Sequence, residues 1–127
     1  MKTNNLVQDK SFDFAVRIIQ AYQFLINEKK EYSLSKQLLK SGRSVGANIE
    51  EAIGGYSTPD FLHKLGIFYK ECRETIYWLR LLQAADYFTA AMAGSLVTDA
   101  RSICRILAKI QLTVKGKEMN KRLKVKD

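Results

Sequence analysis

Five polar side chains are spaced as a site would be. Ser44, Asn48 and Glu51 fall at i, i+4 and i+7 along one flank of a helical stretch, and Glu71 and Glu74 share a turn of another. Carboxylates on two helices can hold a metal, relay a proton or anchor a ligand. A di-metal centre in a helical bundle takes Glu-x-x-His from two helices. The one histidine, His63, instead follows Asp60 at the start of a helix. Ser–His–Asp catalysis needs a partner for His63, and none is evident. Zinc needs about four ligands. Cys72 and Cys104 sit on apolar helix stripes, where thiols serve as small apolar side chains. Gly54-Gly55 has neither the following lysine nor the preceding strand of a phosphate loop. These residues predict no enzyme, no metal and no cofactor. Ser44, Asn48, Glu51, Glu71 and Glu74 are expected to form a structural polar network that fixes helix register, with Arg73 or Arg80 neutralising a carboxylate. A ligand site between the two helices is the competing reading.

The other candidate chemistry is charge. The chain carries 21 basic and 13 acidic groups, a formal net charge of +8. Residues 116–127 hold five basic and two acidic groups, so most of the excess lies in the body. Lys36, Lys40 and Arg43 make a stripe on one helix; Arg101, Arg105 and Lys109 make a second on another; Lys117, Lys121, Arg122 and Lys124 follow. Such a balance favours polyanions. Exposed alternation of aromatic and basic residues, the pattern of base stacking, is not evident. Recognition by shape and charge is therefore expected, with steep salt dependence. The plainer reading is a solvated, soluble surface.

These residues must be positioned by helices. One proline and seven glycines in 127 residues argue against a loop-rich or all-β chain, and the length suits a single domain, 1–127. Apolar periodicity gives helices at about 12–28, 34–53, 59–85 and 90–115, followed by a flexible basic tail, 116–127. Ser11 reads as the N-cap of the first helix and Thr58, before Pro59 and Asp60, as that of the third. Gly54-Gly55 ends the second, by accepting a left-handed conformation, and Gly116 the fourth. Gly42 and Gly46, four apart inside the second helix, predict a close helix–helix approach. Short connections between long helices favour antiparallel neighbours. The fold class is all-α, an antiparallel up-down-up-down four-helix bundle. No apolar run approaches the ~20 residues of a membrane span, and Met1–Asn5 lacks a signal peptide's apolar core. A cytoplasmic protein is expected, with no membrane partner and no disulfide.

Two helices are apolar on two sides. Phe12, Val16, Ile19, Gln23 and Ile26 share one face of the first, taken to be its core face; Phe14, Ile18 and Leu25 share another. On the third, Ile67, Trp78 and Leu81 lie nearly opposite the main stripe of Phe61, Leu65, Phe68, Cys72, Ile76 and Leu79. Phe14, Ile18, Leu25, Ile67, Trp78 and Leu81 are thus expected to form an oligomer interface, since stranded apolar strips mark contacts between chains.

The segment Gln37-Leu38-x-Lys40-Ser41-x-x-Ser44-Val45-x-Ala47-Asn48-Ile49-x-Glu51-Ala52 resembles the signature of the 23S rRNA intervening-sequence proteins. The likeness extends to Asp13-Phe14-Ala15 and Glu71-x-x-Glu74 and covers about residues 10–115; Ile53-Gly54-Gly55 and Phe68-Tyr69-Lys70 depart from it, which bears on packing. The resemblance implies a bacterial bundle protomer, a ring-like homopentamer and no established catalytic residue. It also implies nucleic-acid partners, with RNA favoured over DNA, and by way of related accessory factors a ribonucleoprotein or reverse transcriptase.

The expected function is that of a non-enzymatic, homo-oligomeric helical bundle binding structured RNA through charge and shape. The alternative is a protein-interaction scaffold or accessory factor with no direct contact to nucleic acid.

Overall fold

Four helices form among the described residues: α1 (Lys2–Asn27), α2 (Leu34–Ile53), α3 (Thr58–Ala84) and α4 (Ala90–Lys126). The computed structural model describes residues 2–54 and 57–126, and the side chains of 6–54 and 57–124. Each helix packs on its sequence neighbours, α1 closes the ring on α4, and no diagonal pair of helices brings its backbones into close approach among the described residues. This is the antiparallel up-down-up-down bundle expected from the short connections.

The core repeats the apolar stripes of α2, α3 and α4. Leu38, Val45, Ile49 and Ala52 of α2 meet Leu65, Phe68, Cys72 and Leu79 of α3 and Ala93, Ala100, Ile103 and Leu107 of α4. On α1 the faces are exchanged. Phe14, Ile18 and Leu25, expected at an oligomer interface, are fully buried in the chain's own core, while Phe12, Val16 and Ile19 are 68%, 40% and 43% exposed. The cause lies on the neighbouring helix. A Cβ on Gly42 would stand 2.6 Å from Ile18 Cγ2, so the missing side chain is the socket that turns the Ile18 face inward. Gly46 has only ordinary contact, 3.5 Å from the Ser11 carbonyl. Of the two glycines, only Gly42 is needed for close approach.

Helix ends also differ from expectation. α1 begins at Lys2, and Ser11 is an internal, buried residue whose hydroxyl donates to the Val7 carbonyl at 2.6 Å. Ser57 rather than Thr58 caps α3, accepting from the Asp60 amide at 3.2 Å. α2 ends at Gly54 with φ −81°, not left-handed; Gly55 lies outside the described residues. α4 runs through Gly116, so the expected flexible tail is a helical extension as far as Lys126. One interior glycine costs about 1 kcal/mol, which the strong helix formers around it offset. At 37 residues α4 is about 55 Å long, and nearly all its described side chains beyond Val114 are exposed.

Two turns rely on left-handed residues that are not glycine. Lys30 (φ 53°) ends α1, where the Glu31 amide reaches back to the Leu25 carbonyl at 3.0 Å. Asp86 (φ 66°) ends α3, with the Tyr87 and Phe88 amides on the Leu82 carbonyl at 2.9 and 3.2 Å. Glu31 then opens α2. Its buried carboxylate accepts from the amides of Ser33, Leu34 and Ser35 at 2.9, 2.8 and 2.6 Å. Burial pushes this carboxyl up, but the three amides outweigh it and hold it below the ordinary range.

Candidate nucleic-acid interface

The expected polar network does not form as one unit. Among the described residues none of the five groups hydrogen-bonds another. Ser44 donates within its own helix to the Lys40 carbonyl at 2.7 Å. Glu51 pairs with Lys64 at 3.1 Å, tying α2 to α3. Glu74 accepts from the Trp78 indole N–H at 3.1 Å. Burial raises the Glu71 carboxyl, repulsion from Glu74 adds to the rise, and Lys40 and Lys70 oppose it. The Glu74–Trp78 bond, one turn apart on the same helix, leaves Trp78 half-buried against its own core. Ile67 and Leu81 are likewise half-buried. Of the six expected interface residues, three are core and three are partly covered.

All ten expected nucleic-acid-binding residues are exposed, but they fall into separate groups. Lys36, Lys40 and Arg43 lie on α2, diagonally across the bundle from α4. Lys117, Lys121, Arg122 and Lys124 lie on the α4 extension. Arg101 and Arg105 do something the sequence reading did not anticipate. With Arg73, Arg80, Tyr69, Tyr77, Ile76, Cys104 and Ala108 they line a groove of about 570 Å³ between α3 and α4. Lys109 continues the line one turn further along α4.

The groove is built by helical spacing. Tyr69, Arg73, Tyr77 and Arg80 fall within about 80° of arc on α3, and Arg101, Cys104, Arg105 and Ala108 within about 100° on α4. Ile76 and Ala108 give it an apolar element. Tyr77 is 56% exposed, and its ring meets Trp78 edge-on, centroids 5.1 Å apart at 70°. The two ion pairs among the described residues are Arg17–Asp99 and Lys64–Glu51, so none of the four groove arginines has a carboxylate partner. Arg73 and Arg80 do not neutralise Glu71 or Glu74. Aromatic and basic residues do alternate here, three or four residues apart along one helix face rather than at adjacent positions.

The cysteines meet at the inner edge of this groove. Cys72 is fully buried, and its thiol donates to the Ala100 carbonyl at 3.2 Å. The neighbouring Cys104 thiol, then burial, push Cys72 far above the usual cysteine range. The same thiol–thiol contact draws Cys104 down against burial, and Arg73 adds to that. No three His, Cys, Asp or Glu side chains gather as metal ligands among the described residues. No described helix is long and apolar enough to cross a membrane.

Fold and site together define a class: an antiparallel four-helix bundle with an arginine- and tyrosine-lined groove between its last two helices. A sequence model of the family described as 23S rRNA-intervening sequence protein matches residues 3–109. The chain belongs to that family. It is also similar to a protein with unknown function from the S23 ribosomal protein family of Bacteroides thetaiotaomicron VPI-5482, known from a crystal structure. The two share 48% identity and a TM-score of 0.85, over 86% of this chain and 97% of that one. No curated protein matches.

Proposed function

We propose that this chain is a non-enzymatic, self-associating bundle that binds nucleic acid, RNA in preference to DNA. One observation carries the reading: four arginines without carboxylate partners converge with two tyrosines on a single groove. Guanidinium groups present flat donor forks that match phosphate oxygens. Left without anions they repel one another. A net charge of +8 extends the attraction beyond the groove. The family description, 23S rRNA-intervening sequence protein, makes a structured 23S rRNA fragment a natural first probe of this reading.

Self-association rests on the exposed α1 stripe of Phe12, Val16 and Ile19. The same observation favours the second reading, a protein-interaction scaffold, if a different protein covers the stripe. Filter retention of a structured 23S rRNA fragment separates the two. Retention should fall by orders of magnitude between about 50 and 200 mM salt, as release of counterions from several phosphates requires. Charge reversal at Arg101→Glu with Arg105→Glu should abolish it. Retention that ignores both salt and this double variant would sink the proposal.

A further inference from the structure

We infer that the α3–α4 groove takes unpaired nucleotides, with a base stacked on Tyr77 and the flanking phosphates held by Arg73, Arg80, Arg101 and Arg105. This rests on the nucleic-acid reading above and narrows it from backbone charge to the bases. Three features support it. The first is shape. Adjacent packed helices lie about 8–10 Å apart, so the furrow between them is too narrow to seat a duplex. Its lining runs from Tyr69 to Arg80, about 16 Å along α3, so an extended single strand can follow it.

The second is the aromatic surface. More than half of Tyr77 is exposed, on an element rigidly packed elsewhere. The contact with Trp78 is edge-on rather than a parallel stack, so it does not cover both faces of the tyrosine ring. A base supplies the flat apolar partner that such a ring lacks, and every base has one. The third is the order of residues. Tyr69, Arg73, Tyr77 and Arg80 alternate ring and cation along one face of α3, matching the alternation of base and phosphate in a strand. An acidic peptide would satisfy the arginines and leave the rings unused. Structured RNA offers suitable strands in its loops and bulges, where bases are free to splay onto aromatic side chains.

Fluorescence anisotropy on the full chain tests this with three probes: a single-stranded RNA oligonucleotide, an abasic oligonucleotide of the same length and charge, and the corresponding RNA duplex. The single strand should bind tightest. Tyr77→Ala should weaken it about five-fold to a hundred-fold and leave the abasic probe unchanged, whereas Tyr77→Phe should retain the parent affinity. Because Tyr77 is largely exposed, unchanged helicity of Tyr77→Ala is expected and is checked by circular dichroism. Trp78, the single tryptophan, should change its emission with the single strand and not with the abasic probe. Arg101→Gln with Arg105→Gln should weaken the single strand and the abasic probe alike.

Equal binding of single-stranded and abasic probes, or equal weakening of both by Tyr77→Ala, would overturn base stacking and leave charge-based binding standing. An acidic peptide of matched charge that binds as tightly as the single strand would overturn the assignment of the groove to nucleotides. Failure of all three nucleic acids to bind would remove the nucleic-acid reading itself.

Discussion

Gly42 and Gly46 look interchangeable in the sequence, both inside α2 and one turn apart. Their surroundings give opposite outcomes. An alanine Cβ at Gly42 would lie 2.6 and 2.8 Å from the two γ-carbons of Ile18, and 3.1 Å from its Cβ. Ile18 is fully buried, and these atoms sit close to its own backbone, so it has little room to yield. Gly42→Ala should destabilise by about 1–3 kcal/mol, the usual range for overpacking. Gly46→Ala meets nothing closer than 3.5 Å and should be neutral or gain up to about 1 kcal/mol from helix propensity. Urea unfolding of both variants checks the contrast; equal effects would show that the two sites do not differ as described. The spacing of the glycines was legible in the sequence. Which of them faces a partner was not, because that depends on the facing helix. The same limit applies to the groove: Tyr69, Arg73, Tyr77 and Arg80 were visible as residue types, but only α4 packed alongside turns them into one lining.

At the scale of the element, helix existence was legible and helix ends were less so. Periodicity located all four helices, and α2 was placed to the residue at Leu34–Ile53. The C-terminal ends of α1 and α3 were legible to within one residue, about Glu28 and Ala85 against Asn27 and Ala84, although Lys30 and Asp86, not glycine, take the left-handed turn positions; the start of α1 and the end of α4 were not, because Ser11 and Gly116 lie inside helices. The face of α1 was obscured because both its sides are apolar, and period alone does not rank two equivalent stripes. Glu31, read as part of a short connection, supplies the cap of α2 through three backbone amides. A charged acceptor at a helix N-terminus also complements the helix dipole. Glu31→Gln should therefore destabilise by about 1 kcal/mol, within the range for lost caps. The sign with pH follows from the lowered carboxyl. The carboxylate's contribution is fully present above the ordinary glutamate value of about 4.3 and is lost as pH falls through the lower folded value. Parent and Glu31→Gln should thus differ in thermal midpoint at pH 7 and converge in strong acid. A difference that persists unchanged into strong acid, where the carboxyl is protonated in both states, would show that shape, not charge, does the capping.

At the scale of the whole molecule, two forces act on the surface with opposite responses to salt. Copies carrying +8 each repel one another, while in the proposed self-association the exposed apolar stripe of Phe12, Val16 and Ile19 is what would draw them together. Fully burying an exposed side chain of this kind gains about 1.5–3 kcal/mol; Val16 and Ile19 are already more than half covered, so the three together offer a part of that each, set against a repulsion spread over the surface. The Debye length shortens from about 10 Å at 0.1 M salt to 3 Å at 1 M. Raising salt therefore removes the repulsion and leaves the apolar term. Self-association of the proposed kind should hold or strengthen with salt under sedimentation velocity, while RNA affinity declines over the same series. Phe12→Glu should shift the chain to monomer at all salt concentrations without loss of helicity, since Phe12 contributes little to the protomer's own core. Assembly that dissolves at high salt would instead assign the contact to ion pairs. A parent chain that is monomeric at micromolar concentration across the whole series would remove self-association. The groove between α3 and α4 would then have to bind as a single copy, without the pooled charge of neighbours.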